Sequence, residues 1–218
     1  MMELTLAQKI AIWTLPILLA IVLHEVAHGW VAWKLGDPTA KSQGRLTLNP
    51  LSHIDPIGTL LVPLVLLVIG GFIFGWAKPV PVDHRYFKHP HRDLAKVAIA
   101  GPMANFLMAI GWGFLAVWGA RWQVEMPTIG QFLFYSGLAG VQINLILAAL
   151  NLLPIPPLDG SRIVAAFLPS QLRNRYYLIE PYGFFILLSL IVTGLLNPLI
   201  TPIYAALKGV VQSIIGVA

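Results

Sequence analysis

The sequence predicts an all-α polytopic membrane protein of five or six membrane segments, with short membrane-associated β or re-entrant elements between them. Hydrophobic residues make up 57% of the 218 positions and charged residues only 11%, where a water-soluble domain carries about 25% charge. Several apolar runs reach the roughly 20 residues that cross a bilayer as a helix. The net charge of +5 is not gathered into a basic arm, which argues against nucleic acid as a partner. Basic residues in such a chain mark its cytoplasmic loops, and membrane lipid is its expected surrounding.

The first segment lies between Lys9 and Lys34. Its 24 residues make about 36 Å of helix, long enough to cross with some tilt. The run is too long for the apolar core of a signal peptide and is expected to be retained. A polar stretch follows, with turns at Gly36-Asp37-Pro38 and Asn49-Pro50 and an alternating Gly44–Leu48 that suits a short strand. The second apolar run, Ile57 to Trp76, contains Pro63 and Gly70-Gly71 and is flanked on both sides by basic residues. If both flanks are cytoplasmic, the run must enter and return; if one faces outward, it is an ordinary span. Gly75 to Val82 then alternates like an edge strand, with its prolines limiting pairing.

The third run extends from Val97 to Trp118 and opens with Ala100-Gly101-Pro102. The fourth, Gly130 to Leu153, ends in the break Pro154-Ile155-Pro156-Pro157. The last, Phe184 to Leu207, is interrupted by Gly194, Asn197, Pro198 and Pro202. It is either one kinked span or a span followed by an interfacial helix. The simplest organisation is one membrane-embedded unit over 1–218, with a core at about 10–168 and C-terminal helices at about 178–218.

Inside the first segment stands His24-Glu25-Val26-Ala27-His28, the pattern H-E-x-x-H. Residues four apart share a helix face, so both imidazoles can converge on one Zn²⁺ while Glu25 takes a proton from water. There is no cysteine, so any further ligand must be His, Asp or Glu. His24 lies about 15 Å of helix from Lys34, and ionisable groups at membrane depth are costly and mark function. A catalytic zinc site needs a third protein ligand. Asp159, just after the proline break, is the best candidate; its bland alternative is a turn residue in Asp-Gly. Unwound backbone of this kind is tolerated at membrane depth only against protein or water, and it offers free groups to an extended peptide.

H-E-x-x-H followed by Asn151-x-x-Pro154-x-x-Pro157-x-Asp159-Gly160 resembles the paired signatures of the site-2 protease family of intramembrane zinc metalloproteases. Ala100-Gly101-Pro102-Met103-Ala104-Asn105 is similar to the start of the family's intervening helix. The resemblance covers about residues 10–168. It implies one Zn²⁺ per chain held by His24, His28 and Asp159, Glu25 as general base, and a transmembrane protein as substrate. It also implies an integral protein of a prokaryotic inner membrane whose active site lies nearer the cytoplasmic side. Asn151 either holds substrate or ends its helix; Asn105 either contacts substrate or ties helices together. His53 either stabilises an oxyanion or sits in a surface loop. His84, His89 and His91 read as a solvated loop facing anionic lipid rather than as a metal site. The sequence departs from larger family members in having no PDZ domain between the motifs and no nucleotide-sensing module after them. A cation transporter and a catalytically silent relative that binds membrane proteins are the alternatives, and oligomeric state is open.

Overall fold

A computed structural model describes residues 4–62, 64, 65, 68 and 75–217. Among these residues the regular structure is helical, with no strand. The long helices are α1 (Leu6–Lys34), α3 (Pro90–Trp122), α4 (Pro127–Asn151) and α8 (Leu196–Ile215). Shorter ones are α2 (Thr39–Ser42), α5 (Asp159–Phe167), α6 (Ser170–Tyr177) and α7 (Gly183–Val192). Among the described residues, five stretches are long and apolar enough to cross a membrane: α1, α3, α4, α6 with α7, and α8. The all-α polytopic architecture is therefore present. The C-terminal apolar region divides at Gly194, whose φ of 74° turns the chain between α7 and α8.

Helix α1 begins at a capping box in which Thr5 accepts from the Gln8 amide and Gln8 returns to the Thr5 amide. Its outer face leaves Leu15, Leu18 and Trp30 exposed; such apolar surface is stable against lipid and a liability against water. The Lys34 end carries an aromatic girdle: the Lys34 ammonium sits over the Trp30 and Trp33 rings, and that of Lys41 lies 4.0 Å from the Trp33 centroid. Ammonium and indole together favour a membrane–water boundary.

Helices α3 and α4 form an antiparallel pair joined by the turn at 123–126. Their close approach requires glycine. A Cβ at Gly137 would lie 2.5 Å from the Ala116 amide nitrogen, and one at Gly119 would lie 2.4 Å from that of Phe134. Small residues at a crossing let backbones touch where lipid gives no hydrophobic drive between helices. Around this pair pack α1, α5 and α8, with Ala109, Leu145 and Val211 buried at the centre of one cluster. Ala32, Phe87 and Val97 form a second cluster that joins the Lys34 end of α1 to the start of α3.

The two ends of the apolar run 57–76 are hydrogen-bonded to each other. The Trp76 amide donates to the Gly58 carbonyl at 3.1 Å, and the Thr59 hydroxyl donates to the Trp76 carbonyl at 2.9 Å. A single crossing would separate these ends by about 30 Å, so both basic flanks lie on the same side. Gly70-Gly71, where a re-entrant run could turn back, falls outside the described residues. The expected strands at 44–48 and 75–82 do not form: Gly44, at φ 65°, closes α2 by returning the Arg45 amide to the Ala40 carbonyl. Segment 75–82 pairs with no strand among the described residues; its backbone groups bond instead to the Gly58 and His53 carbonyls and to the side chains of Glu25 and Arg45.

Candidate metal centre

Three donor atoms converge where α1 meets the start of α5. Nε2 of His24 and Nε2 of His28 are 3.0 Å apart, and Oδ2 of Asp159 lies 3.3 Å from each. Both histidines are buried, and the Asp159 side chain is 15% exposed. The i, i+4 spacing places the imidazoles on one face of α1. Asp159 is brought to them because the chain unwinds after Asn151 and restarts as α5 with this residue first. The bend is tight: a Cβ on Gly160 would lie 2.3 Å from the Leu152 carbonyl oxygen, and one on Gly183 would lie 2.1 Å from that of Pro156. The Tyr176 hydroxyl clasps the loop by donating to the Pro154 carbonyl at 2.7 Å.

The protonation of the two imidazoles follows from their other partners. Asn105 donates its amide hydrogens to the Ala20 carbonyl and to Oδ1 of Asn144, so its own Oδ1 can only accept. Nδ1 of His24, 2.5 Å from that oxygen, is therefore the donor. Nδ1 of His28 donates to the Val97 carbonyl at 2.7 Å. In its neutral form, each ring with a protonated Nδ1 presents an Nε2 lone pair inward.

In that form two lone pairs and a carboxylate oxygen face one another, and Asp159 Oδ2 is buried without a hydrogen-bond partner among the described residues. The cluster needs a cation. Zinc bonds of about 2.0–2.1 Å at tetrahedral angles put ligand atoms about 3.3 Å apart, and the observed separations of 3.0, 3.3 and 3.3 Å match. Gly101 closes the floor of this space, since a Cβ there would come within 2.4 Å of His28 Nε2. The residues present fit a zinc ion with one position left open.

Glu25, beside the first imidazole, is half-buried, and its Oε2 accepts from the Val80 amide at 2.8 Å. Asn105 is fully buried, with both amide hydrogens and its oxygen engaged, so it ties α1, α3 and α4 together and orients His24. Asn151 is the last residue of α4, half-buried, and its amide donates back to the Leu147 carbonyl. His53 is buried rather than at a loop surface. Its Nε2 donates to the Thr47 carbonyl at 3.0 Å, and its Nδ1 is buried with no hydrogen-bond partner among the described residues. The only His/Asp/Glu group among the described residues able to hold a metal is His24, His28 and Asp159, so His84, His89 and His91 form no such site.

The model of peptidase family M50 matches residues 123–193, which include Asp159. YwhC of Bacillus subtilis strain 168 is 43% identical over 195 residues, covering 88% of this chain and 85% of the relative. Rip2 of Mycolicibacterium smegmatis is 32% identical over 181 residues, covering 83% of this chain and 66% of the relative. Both carry names that give them as zinc metalloproteases by inference. No solved structure matches.

Proposed function

The chain belongs to peptidase family M50, and on that premise we propose that it is a zinc-dependent protease that hydrolyses a peptide bond in or beside the transmembrane segment of a membrane protein. The observation that carries this reading is the convergence of two imidazole nitrogens, from a helix long and apolar enough to cross a membrane, with the carboxylate at the start of α5. In it, His24, His28 and Asp159 hold one Zn²⁺ per chain, and Glu25 is the general base.

Zinc bound there supplies a Lewis acid that acidifies water and polarises a carbonyl. The chain's own groups do the rest. Asn105 and the Val97 carbonyl hold the two rings in the tautomer that points Nε2 inward. Glu25 accepts the proton of the attacking water and, once protonated, delivers it to the leaving amine. Its Oε2 is fixed by Val80, and Oε1 makes no hydrogen bond among the described residues, so Oε1 is the oxygen that exchanges the proton. A substrate helix must unwind first, because its scissile carbonyl is hydrogen-bonded and shielded within the helix.

Water reaches the site from the Lys34 side. Both basic flanks of the 57–76 run gather there, and by the distribution of Lys and Arg it is the cytoplasmic side of the cell membrane. Replacing Glu25 with Gln tests the reading. Cleavage of a transmembrane reporter by the purified protein should be lost while zinc content stays near one per chain. Retained cleavage refutes the base, and folded protein without zinc refutes the site.

A further inference from the structure

Arg45 belongs to no part of the metal centre, yet it is buried at 8% exposure in a loop after α2. One of its guanidinium nitrogens donates to the Lys78 carbonyl at 2.9 Å and to the Pro79 carbonyl at 3.4 Å. Among the described residues no carboxylate pairs with it. The Pro79 carbonyl and the Val80 amide are two ends of one peptide unit, and the Val80 amide is the group that holds Glu25 Oε2 at 2.8 Å. A buried cation on the carbonyl end and a carboxylate on the N–H end polarise the same peptide in the same sense.

The surrounding sequence makes this peptide rigid. Pro79 fixes its own φ, and Pro81 restricts Val80 to extended conformations. Neither proline has an N–H, so Val80 supplies the sole amide hydrogen between positions 79 and 81. The Lys78 amide is pinned to the His53 carbonyl at 2.9 Å, which secures the strap upstream. Gly29, one turn beyond Glu25, seats it: a Cβ there would lie 2.8 Å from Val80 and 2.6 Å from Leu46.

We propose that Arg45 is a positioning residue for Glu25, acting through the Pro79–Val80 peptide to fix one carboxylate oxygen and leave the other free for proton transfer. The inference rests on the reading of Glu25 as the general base. Its test compares Arg45→Ala, Arg45→Lys and Val80→Pro, the last removing the amide hydrogen while leaving the guanidinium and its carbonyl partners in place. With the purified zinc-loaded protein and a transmembrane reporter, Arg45→Ala and Val80→Pro should each lower kcat by about tenfold to a hundredfold, as lost orienting partners do. KM should stay within about twofold, because the strap sets base geometry, not substrate affinity. Arg45→Lys should recover part of the loss.

A readout independent of turnover is the thermal midpoint of single and double variants. The destabilisation by Arg45→Ala should shrink in a Glu25→Gln background, since the two groups are coupled through one peptide. Wild-type kcat in Val80→Pro, or equal midpoint shifts for Arg45→Ala in both backgrounds, overturns the proposal. If Glu25→Gln itself still cleaves, the base reading fails. If Glu25→Gln is inactive while Val80→Pro is fully active, only the relay fails.

Discussion

Gly101→Ala is the smallest change that should empty the metal centre. The added Cβ would lie 2.4 Å from His28 Nε2 and 2.6 Å from His24 Nε2. Restoring an ordinary contact of about 3.4 Å requires the rings or α3 to move by about 1.0 and 0.8 Å. Zinc–ligand distances tolerate shifts of about 0.2 Å, so the displacement is several times what the site absorbs. The rings cannot swing freely either, because Asn105 and Val97 hold their outer nitrogens. Apparent zinc affinity should fall by at least about a hundredfold, or about 2.7 kcal/mol. The assay is zinc content and competition with a metal indicator on detergent-purified protein. Gly111→Ala is the control: it lies in the same helix with nothing within 4 Å of its Cβ, so it reports the gain in helix propensity alone. One tightly held zinc per chain in Gly101→Ala refutes the assignment of that space to the metal.

Three further outcomes are expected. Asn105→Leu removes the acceptor that fixes the His24 tautomer and the bonds to Ala20 and Asn144. Zinc affinity should drop by about tenfold to a hundredfold, and the thermal midpoint should fall with three interhelical bonds of about 0.6 kcal/mol each; unchanged metal binding refutes the orienting role. Chelation should lower the midpoint of the wild-type protein and added Zn²⁺ should restore it, with about 2.7 kcal/mol regained when the ion is at a hundred times its Kd; a midpoint indifferent to zinc refutes the site. The side-chain bonds from Arg85 hold the Asp83 carboxyl down at about 2, below its ordinary 3.8. Because the folded value is depressed, that pair's contribution is present above pH 3.8 and is lost as the pH falls toward 2. Arg85→Gln should return the Asp83 titration toward 3.8 by carbon NMR, and an unmoved titration refutes the cause.

The parts of this site that were legible in the sequence are those where chemistry dictates residue type. A zinc ligand without cysteine must be His, Asp or Glu, and a base beside it must be ionisable. His24, Glu25, His28 and Asp159 therefore stood out against an apolar background. The all-helical architecture was legible for the same reason: a bilayer accepts few backbone solutions. The strands expected at 44–48 and 75–82 failed because alternation alone does not supply a partner strand, and here the backbone groups found loop carbonyls and side chains first.

The orienting groups were illegible for a different reason. Val97 serves His28 with a carbonyl, and Val80 serves Glu25 with an amide hydrogen. A backbone group carries no residue-type signature, because almost any side chain leaves it available; only proline removes the hydrogen. The one visible trace is negative: Val80 stands between two prolines, at the only position from 79 to 81 where a donor survives. Arg45 is equally silent as a motif, since a lone arginine in a basic loop reads as a marker of the cytoplasmic face. Its burial and its two carbonyl partners separate it from Lys34 and Lys41, whose ammonium groups lie over indole rings. Here the candidate metal centre and its supports come from the same few helices. The supports that cost no side chain are those the backbone already offers, and such contacts leave the least trace in a sequence.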